Sequence, residues 1–226
     1  MNPKDLFIFI GAPGSGKGSL SRLCVDELGL TQLSTGFLCR KHIAEKTPIG
    51  EKIDLVINSG KLIPDNMILD MVKQWLGEHI NSVQGIILDG FPRTGSQAEA
   101  LQNLIEQQLP NFTVNVVKLA ISNQAVTQRL LNRSICQNQN CQAVYSTAEN
   151  SRLRPKKDGI CDRCSSPLRK RDDDAEAVIA QRLHDYNDQE RELMSFYADH
   201  GVNVVTINVE QPLESVFEEF KQHFGY

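Results

Sequence analysis

The stretch 11–19 reads G-A-P-G-S-G-K-G-S. Its glycines, lysine and hydroxyls suit the binding of a polyphosphate, provided that a strand precedes the stretch and a helix follows it. The glycines let the backbone curl toward an anion without Cβ clashes. Successive N–H groups then point inward, and the start of a helix adds positive potential. Gly14, Ser15, Gly16, Lys17, Gly18 and Ser19 are therefore candidates for holding a nucleoside triphosphate, with Lys17 reaching its β- and γ-phosphates. The position after Lys17 is Gly18, so the hydroxyl that usually touches Mg²⁺ is missing, and Ser19 follows one residue later. A metal here would be held by phosphates and water, with carboxylates acting through water.

Asp89 ends a short apolar run and precedes G-F-P-R-T. A carboxylate at a strand end beside a phosphate loop suits the hydration shell of Mg²⁺. Arg40, Arg93, Arg129, Arg133, Arg171 and Arg182 fall at element ends and could face one cleft. Guanidinium forks match pairs of phosphate oxygens. Phosphoryl transfer depends mainly on such positioning and charge stabilisation. The five histidines have neither metal nor triad spacing. No general base is evident, and an anionic phosphate acceptor needs none. Four residues separate Cys136 from Cys141 and two separate Cys161 from Cys164, with nineteen residues between the pairs. That pattern fits a closed four-thiolate site for a structural Zn²⁺ in a module too small for its own core. Disulfides or metal-free thiols are the alternatives.

The elements that must position these groups follow from periodicity. Strands are expected at 6–10, 30–33, 85–88, 114–121 and 202–209. Helices are expected at 17–28, from Ser34 or Thr35 to Arg40, and at 49–58 and 65–81. Further helices are expected at 96–108, 123–133, 172–200 and 213–224. Asp65 is expected to cap the fourth helix, and Arg129 and Arg133 to lie one turn apart on one helix face. Periodicity fails over 134–170, which reads as an inserted module. Alternating strands and helices predict an α/β fold, a parallel sheet covered on both faces.

The chain has 226 residues, 40% hydrophobic and 23% charged, with net charge -4 and pI about 5.8. Such a balance argues against general nucleic-acid binding. No apolar run approaches a membrane span and no secretory signal is evident, so a cytoplasmic protein is expected.

Together these residues resemble the adenylate kinases, in their long form with a zinc-type lid. The motifs are G-A-P-G-S-G-K-G-S at Gly11, S-T-G at Ser34, G-K-L-I-P-D at Gly60, L-D-G-F-P-R-T at Leu88 and R-D-D-D at Arg171. The resemblance spans essentially the whole chain. It implies a P-loop core with a five-stranded parallel sheet (1–33, 64–133 and 171–226), a helical NMP-binding domain (34–63) and a lid (134–170). It implies reversible phosphoryl transfer from Mg-ATP to AMP, giving two ADP, by a monomer with no nucleic-acid or membrane partner. By the same resemblance, Lys17, Asp89, Arg93, Arg133, Arg171 and Arg182 are catalytic. Arg129, Arg133 and the backbone near Gln211 join the loop in binding ATP. Thr35 and Gln97 recognise the AMP base end, and Lys61, Leu62 and Ile63 line that pocket. Arg40, Gly90, Arg93, Arg171 and Arg182 surround the AMP phosphate. Phe37 stands where the family usually has Asp. Two alternatives follow: a kinase for another nucleoside monophosphate, or a nucleotide-binding paralogue of weak activity.

Overall fold

A computed structural model describes residues 4–58, 63–138, 140–149 and 151–226. Its central sheet has the order β2-β3-β1-β4-β8, every pairing parallel. The strands are β1 (Lys4–Gly11), β2 (Thr31–Ser34), β3 (Gly85–Asp89), β4 (Phe112–Ala120) and β8 (Val204–Asn208). In the middle strand Leu6, Phe7, Ile8, Phe9 and Ile10 are all buried. An unbroken apolar run in a central parallel strand means that both faces are covered.

Alternation along β1 sorts its side chains between two cores. Phe7 and Phe9 face α1 (Lys17–Leu28) and α8 (Leu213–Phe224), packing with Leu20, Cys24, Val216 and Phe220. Leu6, Ile8 and Ile10 face the other way, packing with Ile68, Val72, Leu101, Leu104 and Leu193. Those side chains come from α4 (Asp65–His79), α5 (Gly95–Gln108) and α7 (Glu176–Asp199). A smaller core of Ala12, Val126, Leu130, Ile179 and Leu183 joins α6 (Asn123–Leu131) and α7 beside the Gly-rich loop. Hydroxyl caps begin several helices: Ser34 for α2 (Thr35–Ala44), Thr94 for α5 and Ser122 for α6. Helix α2 packs against α3 (Pro48–Asn58).

Three expectations need correction. Arg133 is not helical: α6 ends at Leu131, and Arg133 opens β5 (Arg133–Cys136). This strand pairs antiparallel with β6 (Val144–Ser146) and β7 (Leu168–Arg169), so the inserted module contains a small sheet that its polar sequence concealed. Asp65 does not cap α4; Pro64 holds that position and Asp65 is the first helical residue. Its carboxylate is turned instead toward Thr94, Ser96 and Gln97. The helix expected from 172 begins as a 3₁₀ turn, Asp172–Asp174, and Ala175 is extended before α7. The Asp173 and Asp174 carboxylates bind arginines there before the helix starts. Among the described residues, no helix is long and apolar enough to cross a membrane.

Phe220 is fully buried, with its ring centroid 5.0 Å from that of Phe7 and 5.8 Å from that of Phe9. Phe220→Ala should therefore destabilise the protein by about 3–5 kcal/mol. Urea unfolding should show a lower midpoint with an unchanged m value.

Candidate active site

Because β1 runs parallel to its neighbours, the turn after it leaves the sheet at the edge where β2 and β3 also end. Gly14 and Gly16 have φ +85° and +99°, a left-handed backbone that favours glycine. Gly16 is also the N-cap of α1. It supplies no side-chain cap, and the first turn carries no acidic residue. The N–H groups at this helix start are suited to an anion. Ser15 is buried, and its Oγ has no partner among the described residues. Lys17 Nζ donates to the carbonyls of Gly11 (2.5 Å) and Ala12 (3.1 Å). Burial lowers the Lys17 pKa to about 8; Asp89 opposes that shift, and Arg93, Arg182 and Arg133 add to it. The charges of these three arginines are thus felt at Lys17. Gly18 and Ser19 continue into the first turn of α1.

Asp89 closes β3 beside that turn: a Cβ built on Gly18 would lie 3.7 Å from Asp89 Oδ2. Gln32 Nε2 donates to the same oxygen at 3.0 Å. The next carbonyl, of Gly90, accepts from Thr35 Oγ1 and from Arg93 Nε, each at 2.9 Å. Gln97 is buried and engaged at both ends of its amide. Its Oε1 accepts from the Arg93 backbone N–H at 2.8 Å, and its Nε2 donates to Asp65 Oδ1 at 2.6 Å. Burial opposes charge on Asp65, but hydrogen bonds from Ser96, Gln97 and Thr94 hold its pKa below the usual carboxylate value. Ile63 packs on the core that contains Ile68 and Met71. Lys61 and Leu62, with Gly60 of the same motif, lie outside the described residues.

On the opposite side, two aspartates gather three arginines. Arg133 is bidentate to Asp174, at 2.8 and 2.6 Å, and this carboxylate is almost fully buried. Arg171 is bidentate to Asp173, also at 2.8 and 2.6 Å. Arg182 Nη1 reaches both, 3.1 Å from Asp173 and 3.3 Å from Asp174. Burial opposes charge on Asp173, but Arg171 and Arg182 outweigh it and hold its pKa down. These two aspartates and Asp65 escaped the sequence reading as site residues. The run of three acids after Arg171 was the only signal. Arg129 joins the Gly-rich loop to the end of β8: Nη1 donates to the Ser15 carbonyl at 3.3 Å and Nη2 to that of Val209 at 2.5 Å. Gln211 lies just beyond, its Nε2 donating to Asn208 O and Glu219 Oε2. Arg40, on α2, donates from Nε to Gln142 Oε1 of the inserted module at 2.7 Å. Burial, with Arg171 nearby, lowers its pKa to about 10. Apart from Ile63 and the four cysteines, the sequence-derived candidates among the described residues are thus found around the Gly-rich turn and the strand ends beside it. Phe37, half-buried in the first turn of α2, donates its N–H to Ser34 Oγ.

The four clustered cysteines form a separate centre. Their sulfurs all lie within 4.8 Å of one another, with Cys136–Cys164 at 3.3 Å and Cys141–Cys161 at 3.7 Å. Tetrahedral Zn–S bonds of about 2.3 Å place sulfurs roughly 3.8 Å apart, so the set fits one zinc-sized ion. Burial disfavours the Cys161 thiolate, but hydrogen bonds from Tyr145 Oη and nearby backbone N–H groups outweigh it and lower its pKa to about 6. None of the cysteines is bridged.

A parallel sheet, a glycine-rich loop leading into a helix, and arginines gathered around its lysine define a P-loop nucleotide-binding protein of the phosphotransferase type. Sequence comparisons narrow the class. The family model described as adenylate kinase matches residues 9–202. The chain is 35% identical to an adenylate kinase of Methanosarcina mazei over 214 residues, 95% of each chain. It is 34% identical to one of Bacillus licheniformis over 218 residues, 96% of this chain and 97% of the relative. It is 33% identical to one of Treponema pallidum over 219 residues, 97% and 98% respectively. The chain belongs to the adenylate kinase family.

The lowered Lys17 pKa has a measurable consequence. A phosphate chain against Nζ favours the ammonium, so the pKa rises on binding. ATP binding should take up almost no proton at this group near pH 6.5, and close to one at pH 9. Calorimetry in buffers of different ionisation enthalpy measures the uptake. Lys17→Met should remove its rise between pH 7 and pH 9.

Proposed function

We propose that this protein transfers the γ-phosphoryl group of Mg-ATP reversibly to AMP, giving two ADP. The observation that carries the reading is the placing of Lys17 and the uncapped start of α1 within the field of Arg93, Arg133 and Arg182, the last two held on aspartates. Four cations repelling one another in a cleft are a poor arrangement for stability and a good one for a phosphate chain. In this reading Lys17 and the backbone of Gly14, Ser15, Gly16, Gly18 and Ser19 hold the ATP phosphates. Arg129 and the Gln211 turn border the ATP base. Thr35, Gln97 and the 61–63 stretch border the AMP base, while Arg40, Arg93 and the Gly90 turn hold its phosphate. Gln97 keeps one amide hydrogen and one carbonyl lone pair for that task beyond its bonds to Asp65 and Arg93.

Arg133, Arg171 and Arg182 are held beforehand by Asp173 and Asp174. They meet the transferred group as its charge spreads over three oxygens. An AMP phosphate oxygen attacks Pγ, a new O–P bond forms, and the bond from Pγ to the β–γ bridging oxygen breaks, leaving ADP on each side. The nucleophile is already anionic, so no base is required. Mg²⁺ arrives with ATP and offsets phosphate charge. Asp89 suits its hydration shell, since Oδ1 carries no hydrogen bond among the described residues. The division into core (1–33, 64–133, 171–226), NMP-binding domain (34–63) and lid (134–170) follows the same reading. Lid closure would exclude water from the reaction. Zn²⁺ on Cys136, Cys141, Cys161 and Cys164 would hold the lid together and take no part in the chemistry.

Initial rates of ADP formation from Mg-ATP with AMP, CMP, UMP and GMP test the reading. The expected result is a preference for AMP, at about 10 s⁻¹ or more. Turnover with another monophosphate instead would contradict it. In the same assay at limiting Mg²⁺, Phe37→Asp should raise the rate, because it restores the carboxylate usual at this place in the family. For the lid, removing metal with a strong chelator should release about one zinc per chain and lower the unfolding temperature. Absence of zinc from metal-replete protein would contradict the closed-site assignment.

A further inference from the structure

Arg40 differs from the arginines opposite it. Arg133, Arg171 and Arg182 each rest on an aspartate, whereas Arg40 makes no ion pair among the described residues. Its polar contact is with an amide from another part of the chain: Nε donates to Gln142 Oε1 across 102 positions of sequence, at 2.7 Å. Gln142 immediately follows Cys141, a member of the thiol cluster. Its φ is +43°, in the left-handed region where a glutamine is out of place. The turn that holds it there is closed by its own backbone N–H on Asn138 O, at 2.9 Å, and by that of Cys141 on the same carbonyl, at 3.0 Å. Ser165, which follows Cys164, has φ +59° in the corresponding place, so the left-handed backbone belongs to the cysteine turns, and a function for the Gln142 side chain rests on the contact it makes.

The geometry supplies that function. Guanidinium carries five N–H donors in a planar fork. The bond to Gln142 uses the Nε–H, fixes the plane and leaves all four Nη hydrogens for another acceptor. The fork lies over the start of α2, where a Cβ on Gly36 would come 3.1 Å from Nη1. An amide suits this place better than a carboxylate, because it orients the cation without neutralising it.

We infer that Gln142 is a positioning residue for the acceptor phosphate: it aims the Arg40 fork and couples α2 to the cysteine knuckle of the inserted module. The inference rests on the AMP-phosphotransferase reading of the cleft. Two substitutions separate its parts. Gln142→Met keeps the strained backbone and loses the acceptor oxygen. Gln142→Gly relieves the backbone and also loses the oxygen. Losing a hydrogen bond to a charged group predicts about a tenfold rise in KM for AMP in both. KM for ATP and kcat should stay within about twofold, and the unfolding temperature of Gln142→Gly should not fall. In an Arg40→Met background, Gln142→Met should add nothing further.

An unchanged KM for AMP, an equal rise in both KM values, or additive effects with Arg40→Met would each overturn the inference. A readout free of turnover keeps it distinct from the proposed activity: amide hydrogen exchange of α2 and of residues 140–142 should quicken together in Gln142→Met. Unaltered exchange in α2 would overturn the coupling even in a fully active enzyme.

Discussion

Burial lowers the pKa of Lys17, and repulsion from Arg93, Arg182 and Arg133 adds to that effect against the attraction of Asp89. Most of the site manages that crowding. Lys17 is tied to two loop carbonyls, Arg93 to the Gly90 carbonyl, and Arg133, Arg171 and Arg182 to a pair of aspartates. The carbonyls leave the charge of Lys17 and Arg93 intact, and the two aspartates offset only part of the charge of the three arginines they hold. The cations are held in place and remain available to an anion, which is what electrostatic preorganisation requires.

The scaffold meets this demand through strand direction. Five parallel strands end at the same edge of the sheet. The Gly-rich loop follows β1, Thr35 follows β2, Asp89 closes β3, and Gln211 follows β8. Residues far apart in sequence become neighbours because the crossovers return each strand to the same start. The two apolar cores on either side of β1 then fix the height of that edge, since the alternation of Phe7 and Phe9 with Leu6, Ile8 and Ile10 permits no slip in register.

The sheet and helices were largely legible from the chain, because their signals are local: apolar runs, helical periods and hydroxyl caps. The loop was legible because its glycines and lysine are contiguous. Less local features were not. Arg133 follows a helical pattern closely, yet it belongs to a strand whose partners are nine and more residues away. Asp65 has the chemistry of a cap, and only its proximity to Thr94, Ser96 and Gln97 gives it a different task. Asp173 and Asp174 stood in view as part of an acidic run, but their role depends on arginines from three separate stretches. Gln142 had no sequence signal beyond its place after a cysteine, since a left-handed backbone at glutamine cannot be read from residue type.

In the proposed reaction one cleft holds two nucleotides with their phosphates meeting over Lys17. Two adenosines joined through five phosphates form a probe that needs both halves at once. Calorimetry and inhibition kinetics should show one such molecule per chain, competitive against ATP and against AMP, and bound far more tightly than either. Competition with ATP alone, at no more than the affinity of ATP, would mean that the arginines opposite the loop do not form a second nucleotide site.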